Sequence, residues 1–178
     1  QQPNFIDAKI LNAQLLLAKN QADAAKNYLD ALIEKYPEIS NLYYLKGLAH
    51  LQSDEPEKAK VAFSKVGRDD VQYDEAKLLL AQLYLRENSI KPAKEAINAV
   101  LSVSPNHYAA LRMLGDIYMR ENQIQQAESH FKSLINISPN KSDGYYRLGL
   151  INQQQENFDA AMRNFEIALS KNPENIDI

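Results

Sequence analysis

Tyr108-Ala109-Ala110-Leu111-Arg112-Met113-Leu114-Gly115-Asp116-Ile117-Tyr118, followed by Ala127, Phe131, Leu134 and Pro139, is the stretch on which the reading of this chain turns. Its apolar residues fall three and four apart, the spacing of one helical face. Asn122 and Pro139 interrupt it with residues that end helices: asparagine tolerates the left-handed conformation, and proline lacks an amide donor. The stretch therefore reads as two helices separated by a turn. Sliding the sequence over itself by about 34 residues brings the same residue types into register repeatedly. The repeats span 6–39, 40–73, 74–107, 108–141 and 142–175.

Within that frame position 20 is always alanine: Ala25, Ala59, Ala93, Ala127 and Ala161. Position 8 is Ala13, Gly47, Ala81, Gly115 and Gly149, and position 24 is Leu29, Phe63, Ile97, Phe131 and Phe165. Small residues let two backbones approach, and the large side chain fills the space beside them. Position 32 is Pro37, Pro105, Pro139 and Pro173, which forces a turn before the next unit. Position 15 is Asn20, Asn88 and Asn122 in three repeats, closing the first helix (A) before the second (B). In the second repeat Gly67-Arg68-Asp69-Asp70-Val71 replaces the usual end of helix B, which is expected to stop near Val66. Ten helices and no strand are expected, since no segment sustains an alternation of period two.

These motifs closely resemble the tetratricopeptide repeat (TPR) family, and the resemblance covers essentially the whole chain; Lys9 and Asn12 in the first repeat depart from its apolar pattern. The resemblance implies an all-α fold, a right-handed α-solenoid of five stacked antiparallel helix pairs forming a single array. Pro3 lies one period before Pro37, and Ile176-Asp177-Ile178 follows Pro173 as a new unit would, so repeats are expected on both sides. Without a polar capping helix, Phe165, Ala168 and Leu169 of the last helix are expected to promote end-to-end self-association.

Composition narrows the function. The chain has 178 residues, 45% of them hydrophobic, and a formal net charge of -3. No Lys/Arg-rich run points to nucleic acid. No apolar stretch approaches the roughly 20 residues a membrane-spanning helix needs. There is no cysteine, which removes thiolate chemistry and disulfides. His50, His107 and His130 occupy different repeat positions, too scattered for a metal or an acid–base pair, and the five glycines sit singly, unlike a phosphate loop. No cofactor, no metal and no catalytic residue are expected; the chain reads as a non-enzyme.

In the resembling family the concave groove is lined by helix A positions 2, 5, 9 and 12. Carried over, these positions give Tyr44, Leu48 and Leu51, then Leu78, Gln82 and Leu85, then Arg112, Asp116 and Met119, then Tyr146, Leu150 and Gln153. The resemblance implies a protein or peptide partner held there. The clamp with which some members grip a terminal carboxylate is missing, since Ile10, Gln14, Leu45, Glu75 and Leu79 occupy its positions. Two other functions stay open at this stage: the repeat arm of a larger enzyme, for instance a glycosyltransferase, and a self-assembling module. Tyr44-Leu45-Lys46-Gly47-Leu48-Ala49 is also similar to repeat-rich bacterial envelope lipoproteins associated with polysaccharide export, which implies the cell envelope.

Overall fold

The computed structural model describes residues 4–173 and contains ten α-helices with no strand among them. The expectations placed on Pro3 and on Ile176-Asp177-Ile178 lie outside the described residues. Helices of type A are α1 (Asn4–Ala18), α3 (Ser40–Gln52), α5 (Tyr73–Arg86), α7 (Tyr108–Arg120) and α9 (Asp143–Gln154). Those of type B are α2 (Ala22–Lys35), α4 (Pro56–Ser64), α6 (Ile90–Val103), α8 (Ile124–Ile137) and α10 (Phe158–Lys171). The chain forms two compact units, one running to Ala96 and one from Ile97. In the first, α1 packs on α2 and α3, α2 on α3, α3 on α4, and α4 on α5; in the second, α7 packs on α8, α8 on α9, and α9 on α10.

All five A helices end at position 13 for one reason. The residue two places later is left-handed every time: Asn20, Asp54, Asn88, Asn122 and Glu156, with φ of 56°, 54°, 58°, 57° and 60°. The next amide then turns back to the carbonyl five residues earlier, as in Gln21 to Leu16 at 2.9 Å, Glu55 to His50 at 2.9 Å and Gln123 to Tyr118 at 2.8 Å. This pairing satisfies carbonyls that a helix end otherwise leaves open. Asparagine predicted three of these turns; aspartate and glutamate adopt the same conformation in the other two.

The small-beside-large rule is equally direct. A Cβ added at Gly47 would strike the ring of Phe63, and one at Gly115 or Gly149 would strike Phe131 or Phe165. Where position 24 is the smaller Leu29, position 8 is Ala13, and both are fully buried. Between neighbouring helices, a Cβ at Gly144 would meet Ile135 Cγ1 at 2.7 Å, which fixes how closely α9 lies on α8.

α4 stops at Ser64, two residues before the expected Val66. The ammonium of Lys77, from α5, donates to the carbonyls of Ser64 (3.1 Å) and Phe63 (3.5 Å), so a cation closes the carboxy-terminal end of the helix. The Gly67 amide is taken by Ser40 Oγ at 2.6 Å, and Val66 is buried beneath the connection.

Candidate functional site

The candidate residues sort by repeat position. At position 5, Tyr44 and Leu78 are sealed, at 9% and 8% exposure, while Arg112 and Tyr146 stay half-buried. A side chain on a helix leans back over the preceding turn. Tyr44 thereby lies 6.1 Å from the Phe63 ring, and Tyr146 lies 5.8 Å from Phe165, so both tyrosines abut the large residue that locks their own hairpin. Burial, and then the Glu75 carboxylate, push the Tyr44 hydroxyl well above its ordinary pKa, so it stays protonated. Truncating either tyrosine would therefore disturb packing as well as any ligand, a coupling that spacing alone does not reveal.

At positions 9 and 12 the side chains are open. Leu48, Leu51 and Leu85 on α3 and α5, and Asp116, Met119 and Leu150 on α7 and α9, are half-buried; Gln82 and Gln153 are exposed. Leu51 opens onto a cleft of about 430 Å³ that it shares with Leu83 and Arg86. Gln153 borders one of about 300 Å³ whose other walls include Met162, Phe165 and Leu169 of α10.

Asp116 is already engaged. Arg147 grips its two oxygens through Nε (2.6 Å) and Nη2 (3.1 Å), and Arg147 Nη1 also reaches Asp143 at 3.3 Å. Tyr108 donates its hydroxyl to Asp143 at 3.0 Å, and burial followed by that carboxylate lifts the tyrosine to about 12. This network ties α7 to α9, and Arg147 brings a positive charge beside the candidate face. Sequence reasoning missed Arg147, Asp143 and Tyr108; the available signal was an acid on one A helix and a base about one repeat later.

The histidines serve the frame. Nδ1 of His50 lies 2.7 Å from Glu55, His107 accepts from the Ala110 amide at the start of α7, and His130 stacks on Tyr118 with ring centres 5.4 Å apart. Among the described residues no three His, Asp or Glu side chains cluster as metal ligands, and no helix is long and apolar enough to cross a membrane.

Residues 74–175 match the family model of the TT21 fifth ARM repeats domain, and residues 10–64 match the tetratricopeptide repeat model. No curated protein matches the sequence. Among solved structures, MamA from Desulfovibrio magneticus is similar at 18% identity, TM-score 0.77, over 96% of each chain. YrrB, described as a TPR protein with an unusual peptide-binding site, is similar at 21% identity, TM-score 0.76, over 94% of this chain and 87% of its own. A tetratricopeptide repeat protein from Parabacteroides merdae gives 18% identity, TM-score 0.81, over 95% and 67%. At these identities the structural likenesses establish the fold.

Proposed function

We propose that this chain, whose residues 10–64 match the tetratricopeptide repeat model and whose residues 74–175 match that of the TT21 fifth ARM repeats domain, is a non-catalytic interaction scaffold, holding an extended peptide or a helix of a partner protein against the open faces of its A helices. One observation carries the proposal. Helix A positions 9 and 12 keep Leu48, Leu51, Leu85 and Leu150 half-open in both units, although the hairpins are locked elsewhere, at positions 8, 20 and 24, while Met119 also packs on the Phe131 core. Apolar side chains that the fold does not use for closure, interspersed with Arg112, Gln82 and Gln153, suit a ligand that is anchored by apolar contact and set in register by polar groups. The peptide-binding site named for YrrB, a similar fold, is consistent with such a use.

The test is site-specific photo-crosslinking of the intact protein. A photoreactive residue in place of Leu48 or Met119 is expected to capture a partner that the same residue in place of Gln126, exposed on α8, does not. Capture from Gln126 alone would move the interface off the A helices.

A further inference from the structure

Repeat two breaks the pattern of the array at two positions that meet in one cleft. Position 7 is leucine in repeats three to five, where Leu80 and Leu114 are buried at 6% and 3% exposure, and the exposed Asn12 in repeat one; repeat two carries Lys46. Position 22 is polar in the other four repeats (Asn27, Glu95, Ser129 and Arg163), yet repeat two carries Val61, 59% exposed. Lys46 is held by Asp30 of α2, which gives its charge a place in the packing; the exposed valine is the inversion that packing does not explain. Such local violations mark functional surface.

Both residues line a cleft of about 400 Å³ in the first unit, between α2 and α4 with α3 as its floor. Ile33, Val61 and Ala62 supply its apolar wall. Lys46, Lys58 and Lys65 bring three ammonium groups to it, against the single carboxylate of Asp30, which pairs with Lys46. Lys65 lies over the Tyr43 ring, 5.4 Å from its centre, and Lys58 reaches Glu55 at 2.7 Å while its side chain stays 64% exposed. With Asp30 and Glu55 both counted against the three lysines, one more ammonium than carboxylate is gathered here, on a protein whose net charge is -3.

We infer that this B-helix cleft is a second docking site, for a short acidic segment of a partner protein in which glutamate or aspartate flanks an aliphatic side chain. The lysines receive the carboxylates, and the aliphatic group covers Val61 and Ile33. Charge complementarity of this kind steers encounter and sets register. The site is separate from the A-helix faces and stands whether or not those faces are occupied.

Fluorescence anisotropy of a labelled Glu-Leu repeat peptide on the whole chain tests it, with a Gln-Leu peptide of equal length as control. The acidic peptide is expected to bind about tenfold tighter than its control and to weaken about tenfold as salt rises to about 0.5 M. Lys46→Leu introduces the residue that repeats three to five carry at this position; it and Lys65→Glu, each checked for an unchanged helical circular dichroism spectrum, are expected to weaken binding about tenfold. Arg112→Ala, on an A face, is expected to leave it unchanged. Equal binding of the two peptides, full affinity in Lys46→Leu, displacement by inorganic phosphate at matched ionic strength, or an equal loss in Arg112→Ala would each overturn the inference; the last would place the peptide on the A-helix faces instead.

Discussion

Hairpins α3–α4 and α7–α8 close on the same contact, Gly47 against Phe63 and Gly115 against Phe131, and differ in much of what surrounds it. α4 has 9 residues and α8 has 14. Glu55, at the start of α4, is held by Lys26, His50 and Lys58, whereas the equivalent residue of α8 is the neutral Gln123. The repeat thus demands little: a small residue, a large one and a left-handed turn. Helix length and charge are free to vary around them, and there a repeat acquires properties of its own.

If the shared contact is what closes each hairpin, emptying it should cost most and cost alike. Phe63→Ala and Phe131→Ala are each expected to lose about 3–5 kcal/mol by chemical denaturation, since both rings are completely buried. A large loss in one hairpin and a small one in the other would show that the two are not closed by the same device. Next in size, Gly115→Ala should cost about 1–3 kcal/mol, because its new methyl group meets the Phe131 ring. Adding Phe131→Leu, which copies the Ala13 and Leu29 hairpin, should recover part of that loss. Additive costs in the double variant would refute the complementarity of the two positions.

Charge separates the hairpins. Lys58 first, then His50 and Lys26, lower the Glu55 carboxyl from 4.5 to about 2. A lowered carboxyl stabilises the fold above its unfolded value and loses that contribution as pH falls through the folded value. The stability gap between wild type and Glu55→Gln is therefore expected to be constant near neutrality and to close between about pH 4.5 and 2. A gap that persists to the acid end would mean that the carboxylate's charge is not what matters. The smallest effect falls at Glu156, where a glutamate occupies a left-handed turn at φ 60°. Glu156→Asn should raise stability by about 0.5–1 kcal/mol, while Asn122→Glu should lower it by a similar amount.

The frame was legible from the residues because it rests on one-body rules. Glycine and alanine mark close approach, asparagine marks the left-handed turn, and a missing side chain implies a large one opposite. Asp54 and Glu156 escaped this reading because the turn is imposed by the helices on either side and overrides the preference of the residue in it. The early stop of α4 was visible in Gly67 to Val71, but its cause was not, since Lys77 comes from another helix. The candidate faces were legible only as a period. Spacing places Tyr44, Leu78, Arg112 and Tyr146 on one position, yet only packing reveals that Tyr44 and Leu78 are sealed and that Arg147 already holds Asp116.

Residues that close the hairpins and residues proposed to meet a partner should respond differently to substitution. The most direct measurement takes the partner captured from Leu48 and compares its affinity, alongside melting temperature, for wild type, Leu48→Asp and Gly115→Ala. Leu48→Asp is expected to lose about tenfold or more in affinity with its melting temperature preserved, and Gly115→Ala to melt earlier while the folded fraction binds normally. Full affinity in Leu48→Asp would contradict the account, because the open A-helix side chains would then have no part in recognition.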